Sequence, residues 1–247
     1  LFPELVQSPV LLTNARGVHA DPMAEHMVGM MLALVRKIHR ARDFQNRSEW
    51  AQDALWREEP LLDEIGGRTL GIVGLGAIGK ALAWRAHALS MRVLGLRRHP
   101  GEEPPPGVEE ARGPDELPWL LGESDFVANC LPSTPKTKGL LGREAFAAMK
   151  PGAYLFNVGR GNTVDEAAMI AAIESGRLAG AGLDVTAEEP LPAESPLYRM
   201  PQVLLTFHIS GASRRFWDRA AALFEDNVER YLDGRSLRNL VDKKEGY

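Results

Sequence analysis

The chain has 247 residues, of which 45% are hydrophobic and 25% charged, and a formal net charge of −4. This is the composition of a globular protein with one large domain, or one domain and part of another. The negative balance argues against nucleic acid as a partner, and the longest apolar run, 27–35, is too short to span a bilayer. Cys130 is the single cysteine, so no intrachain disulfide can form; with no basic and apolar leader at the start, the expectation is a soluble cytoplasmic protein.

In chain order, Asp21-Pro22 reads as a helix start, with Asp as the cap and Pro at the first helical position. Met27, Met30, Met31, Leu34 and Ile38 follow at three- and four-residue spacing and predict one long helix to about residue 42. A strand over 69–73 runs into a glycine-rich turn, then come a helix over about 77–89 and a strand over 92–96. The Pro- and Glu-rich stretch 101–107 reads as a surface loop. Further strands are predicted over 125–130, 153–157, 180–185 and 203–206, with helices over 143–149 and 166–175. Short strands alternating with helices predict an α/β fold, a doubly wound parallel Rossmann sheet with right-handed crossovers. The expected division is a dinucleotide-binding domain over 20–211. The flanking 1–19 and 212–247 are too short for separate domains and are expected to pack together as the remnant of a second lobe.

The turn Gly74-Leu75-Gly76-Ala77-Ile78-Gly79 fits G-x-G-x-x-G between a predicted strand and a predicted helix, the context that gives this pattern its meaning. Gly74 allows the tight turn, Gly76 lets a pyrophosphate approach the backbone, and Gly79 lets the helix pack closely on the strand. Gly74, Gly76, Ala77, Ile78 and Gly79 are therefore candidate dinucleotide contacts, with the phosphates at the helix N-terminus. An NAD-selective site carries an acid at the end of the next strand. Here Leu96-Arg97-Arg98-His99 stands in its place, and guanidinium groups suit the 2′-phosphate of NADP. NADP is the expected preference, with NAD as the second cofactor; the alternative is that Arg97 and Arg98 are simply solvated.

Three more segments fall where strands of the second half should end, on the edge where an open α/β sheet binds its ligands. They are Asn157-Val158-Gly159-Arg160-Gly161, Asp184-Val185-Thr186-Ala187-Glu188-Glu189-Pro190 and Thr206-Phe207-His208-Ile209-Ser210-Gly211. With Ala24-Glu25-His26, the glycine turn, Cys130-Leu131-Pro132 and Lys150-Pro151-Gly152, they occur in the order that resembles the D-isomer-specific 2-hydroxyacid dehydrogenases, from about Asn14 onward.

The resemblance implies a Rossmann domain beside a flavodoxin-like α/β substrate lobe, and hydride transfer between NADP(H) and a small 2-oxo acid such as glyoxylate or hydroxypyruvate. It makes Arg160 the substrate-holding residue, His208 the general acid/base and Glu189 the partner that orients the histidine and balances its charge. The chemistry suits these types: an Arg fork binds and polarises a 2-oxo acid, and the alkoxide formed by hydride arrival needs a proton from a group poised near neutrality. The resemblance also places Asp184 at the nicotinamide carboxamide, Val158 and Ser210 near the nicotinamide, and Leu131, Pro132 and Thr137 on the adenosine side. No metal is expected, and Glu189 stands where the similar formate dehydrogenases carry glutamine. A homodimer through about 22–56 is implied, with the methionine face, Trp50 and Trp56 at the interface; the alternative is that these residues fill the chain's own core.

Two departures are visible, Thr186 where relatives usually carry Phe, and Phe207 where they usually carry Pro. Relatives also carry several dozen residues ahead of the part resembling 1–13, so the sequence is expected to be a clipped or incompletely recorded form of a longer enzyme. The competing functional class is a dinucleotide-sensing protein resembling the transcriptional corepressors of this fold, against which Arg97 and Arg98 weigh.

Overall fold

A computed structural model describes residues 1–99, 101 and 103–243. In chain order its helices and strands are α1 (Pro3–Gln7), α2 (Ala20–Val35), α3 (Ile38–Asn46), α4 (Gln52–Arg57), β1 (Thr69–Val73), α5 (Ala77–Ala88), β2 (Arg92–Leu96) and β3 (Glu110–Arg112). They continue with α6 (Leu117–Glu123), β4 (Phe126–Asn129), α7 (Arg143–Ala148), β5 (Ala153–Asn157), α8 (Glu166–Glu174), β6 (Leu178–Leu183), β7 (Val203–Leu205) and α9 (Phe216–Leu232). Two compact units result, Asp21–Gly211 and a smaller one made of Leu1–Ala20 with the described part of 212–247.

In the larger unit the strands form one parallel sheet in the order β3-β2-β1-β4-β5-β6-β7. The central strands are near-continuous apolar runs because both their faces are covered, as parallel sheets require. One core gathers Leu120, Phe146, Leu155 and Met169; the other gathers Met27, Met31, Leu70, Ile72 and Phe156. The chain leaves β1 toward β2 on one side and resumes at β4 on the other. That reversal opens a crevice at the carboxyl ends of the strands.

The methionine face proposed for an interface between subunits lies instead in this second core: Met27, Met30 and Met31 are buried in the chain itself. The long helix is also shorter than its periodicity suggests. It ends at Val35, Lys37 takes a left-handed φ of 53°, and α3 starts anew at Ile38, which is exposed. The break goes with the buried ammonium of Lys37, which donates to the carbonyls of Leu55 (3.1 Å) and Glu58 and pairs with the Glu58 carboxylate at 3.6 Å. A buried charge needs such partners. At the other end the helix begins at Ala20, so Asp21 is not its cap; it sits in the first turn and accepts from Arg85 at 2.9 Å.

The remaining predicted strands and helices appear within two residues of their expected ends. The edge strand β3 was not foreseen, since Glu-Ala-Arg carries no apolar pattern and is a strand only through its pairing with β2. The expected loop 101–107 has no helix or strand over its described residues; Glu102 lies outside them. In the smaller unit an antiparallel bridge joins Thr13 to Leu240, and His19 stacks on Phe216 of α9. Among the described residues no helix is long and apolar enough to cross a membrane.

Candidate active site

The glycine turn and the segments 130–132, 157–161, 184–190 and 206–211 fall at the carboxyl ends of strands of the larger unit, whereas Ala24-Glu25-His26 lies in α2 and Lys150-Pro151-Gly152 precedes β5. After β1, Gly74 has a φ of 106°, which a side chain would strain. A Cβ built at Gly79 would overlap the carbonyl of Gly74, so the missing side chain brings α5 onto the turn. Gly76 differs from both. Its φ is −77° and a Cβ there would meet nothing within 4 Å. The fold makes no demand for glycine at that position, whereas a ligand lying on the backbone would. Gly76 also caps α5 without a side-chain hydrogen bond, leaving helix-terminal N–H groups for an anion.

At the end of β2 the Arg97 amide donates to the Arg112 carbonyl at 2.9 Å, and its guanidinium donates to the Glu103 carbonyl at 3.0 Å. Arg98 is exposed beside it. After β4, Leu131 is half-buried and Pro132 exposed; the Thr137 hydroxyl donates to the Pro132 carbonyl at 2.7 Å and so closes the 132–137 loop. Burial pushes the Cys130 thiol up to about 12, which fits a small core residue better than a reactive one.

Arg160 follows β5 and is exposed, with Nη1 donating to the Gly159 carbonyl at 2.7 Å. Its backbone is held from beneath by a buried polar network. Asn129 donates to Asn157 Oδ1 at 3.0 Å and to Thr163 Oγ1 at 2.6 Å, and the Thr163 hydroxyl donates to the Arg160 carbonyl at 2.6 Å. Asn157 Oδ1 also accepts from the Gly159 amide at 3.0 Å. Such a network is favourable only when every member is satisfied. Sequence reasoning passed over it, although a signal was present: both strands end an apolar run in Asn, at paired register positions.

His208 Nδ1 lies 2.7 Å from Glu189 Oε2, and Glu189 Oε1 accepts from the Thr186 amide at 3.1 Å. A carboxylate only accepts, so Nδ1 carries the hydrogen and Nε2 is left for other work. Both side chains are exposed, at 53% and 37%. An ion pair so placed contributes at most about 1 kcal/mol to stability, so the fold gains little from it. A cavity of about 210 Å³ brings this pair together with Arg160, Thr186, Ser133 and Asn162. Ser133 and Asn162 are joined at 2.9 Å.

Asp184 is buried, and its carboxylate accepts from the Thr206 hydroxyl and from the amides of Ile209 and Ser210. In this structure it organises the loop that carries His208. Val158 is buried directly after β5. Ser210 is buried as well, and its Oγ has no hydrogen-bond partner among the described residues. An orphaned hydroxyl of that kind, together with the open surface at Gly76, suits a bound polar ligand.

Residues 28–210 match the sequence profile of the D-isomer specific 2-hydroxyacid dehydrogenase, NAD binding domain. The glyoxylate/hydroxypyruvate reductase B of Yersinia enterocolitica is 38% identical over 241 residues, spanning 96% of this chain and 72% of that protein. Among solved structures, a D-isomer specific 2-hydroxyacid dehydrogenase from Xanthobacter autotrophicus Py2, in complex with NADPH and MES, is similar with a TM-score of 0.82 and 32% identity. The match covers 99% of this chain and 98% of that one. The NADPH-dependent glyoxylate/hydroxypyruvate reductase of Sinorhizobium meliloti, in complex with NADP and sulfate, is similar with a TM-score of 0.81 and 30% identity. That match covers 98% of this chain and 74% of the other.

Proposed function

This chain belongs to the D-isomer-specific 2-hydroxyacid dehydrogenases, and from that premise we propose that it reduces glyoxylate, hydroxypyruvate or a similar small 2-oxo acid with NADPH in preference to NADH. The observation that carries the reading is the Glu189–His208 pair, held at 2.7 Å in one cavity with Arg160.

A nicotinamide dinucleotide supplies the hydride when bound. Gly74, Gly76, Ala77, Ile78 and Gly79 would hold its pyrophosphate at the start of α5, and Ser210 would offer its buried hydroxyl. Arg160 receives the carboxylate and ketone oxygen of the substrate in its planar fork. His208 gives a proton from Nε2 to the oxygen that becomes the hydroxyl, and takes one back in the oxidative direction. Glu189 keeps the ring turned with Nδ1 away from the substrate and offsets the imidazolium charge. Relatives named as reductases support this chemistry over a sensing role.

The NADP preference rests on Arg97 and Arg98 in place of an acid after β2 and fits the two structures that hold NADPH or NADP. Two copies pair through about 22–56, where Trp50 and Trp56 stand exposed at 91% and 60% and suit an interface. A lone cysteine fits the reducing cytoplasm.

The test is steady-state oxidation of NADPH and NADH, side by side, with glyoxylate and with hydroxypyruvate. Turnover with a higher kcat/KM for NADPH is expected. Dinucleotide binding without turnover of either substrate would contradict the assignment.

A further inference from the structure

His26, in α2, belongs to a motif that the proposed chemistry does not use. Its Nε2 lies 2.8 Å from Thr206 Oγ1, and that hydroxyl donates to Asp184 Oδ1 at 2.7 Å. The hydroxyl has one proton; the carboxylate is a nearer and stronger acceptor than the Met30 sulfur at 3.8 Å. His26 Nε2 therefore carries a hydrogen and donates to Thr206, forming a chain from α2 through the end of β7 to Asp184.

Asp184 is the point where this chain meets the loop of the acid/base. Its main-chain carbonyl accepts from the His208 amide at 2.6 Å, and its carboxylate from the amides of Ile209 at 2.9 Å and Ser210 at 3.1 Å. The loop needs such a hold. Phe207 and His208 are consecutive non-glycine residues with φ of 54° and 59°, a region that bulky side chains avoid unless surrounding contacts over-determine it. In this conformation the His208 ring meets Glu189.

We infer that His26 and Thr206 are positioning residues for His208, acting through Asp184 to hold the strained 207–208 backbone in the conformation that pairs His208 with Glu189. The inference rests on the reading of His208 as the acid/base.

Two readouts test it. The first is spectroscopic and needs no substrate: in the ¹⁵N-histidine-labelled protein, the Nδ1–H signal of His208 is assigned by its loss in His208→Ala. Thr206→Val, which keeps shape and removes the hydroxyl, should lose or shift that signal, and Thr206→Ser should keep it. The second is kinetic: Thr206→Val should lower kcat on the order of 10- to 100-fold, the cost of a misplaced reacting group, and Thr206→Ser should recover it. If Thr206→Val does not fold, His26→Phe, with His26→Gln as the variant that keeps a donor, carries the same pair of measurements. A wild-type Nδ1–H signal and kcat in Thr206→Val, or in His26→Phe, would overturn the inference. Failure of the acid/base reading shows separately, as turnover that survives His208→Ala, and leaves the spectroscopic result standing.

Discussion

Gly161 lies so close to Thr186 that a Cβ at position 161 would overlap the Thr186 carbonyl. The absence of a side chain brings the loop after β5, with Arg160, against the loop after β6, with Glu189. The two halves of the cavity are joined by a backbone contact, and no longer residue fits between them.

Gly161→Ala is accordingly expected to lose stability by about 3 kcal/mol or more, since backbone rather than a flexible side chain must give way. The displaced loops should raise KM for the 2-oxo acid and lower kcat. Urea unfolding and steady-state kinetics on the same preparation check this. An unchanged KM and kcat would contradict it.

The charge pattern after β2 sets the cofactor prediction. Replacing both Arg97 and Arg98 by Ala removes charge-assisted bonds to a 2′-phosphate, each worth about 1.5–3 kcal/mol. The NADPH-to-NADH affinity ratio should fall by at least about tenfold, with NADH affinity little changed. Fluorescence titration of the two cofactors measures it, and equal losses for both would assign the arginines to something other than the extra phosphate.

In α9, Asp226 accepts from Arg230 at 2.9 Å and pairs with Arg238 at 2.5 Å. The hydrogen bond from Arg230 is the main cause that holds its carboxyl below the usual carboxylate range, with Arg238 adding to it. A depressed folded-state value favours the folded chain once the carboxyl is ionised. The contribution is present above the unfolded value, near 3.9, and is lost as pH falls through the folded one. Carbon-detected NMR titration should give Asp226 a midpoint below that of an unfolded Asp, and Asp226→Asn should remove this part of the acid dependence. A midpoint at or above the unfolded value would contradict the pairing.

The parts of the fold that depend on local pattern were legible in the sequence. The apolar runs of β1 and β5 and the turn at Gly74 follow from burial on both faces and from a backbone angle that favours glycine. What depended on distant partners was not. Nothing near Lys37 announces that its ammonium will be received by Leu55 and Glu58, yet that contact goes with the break between α2 and α3. The methionine stripe of α2 reads the same whether covered by its own sheet or by another subunit, and its own sheet covers it. Likewise Arg160, Glu189 and His208 stood out by type and order. The contacts of Asn129 with Thr163, and of His26 and Thr206 with Asp184, emerge only when distant segments are set side by side.

The most direct measurement is made on His208→Ala, with NADPH binding followed by fluorescence and reduction of glyoxylate and hydroxypyruvate followed by NADPH oxidation. Loss of the proton donor should leave the dissociation constant for NADPH near its wild-type value and lower kcat on the order of 10²- to 10⁴-fold. Turnover at the wild-type rate, with NADPH bound as before, would contradict the role of His208 and with it the assignment of the cavity beside Arg160 as the active site.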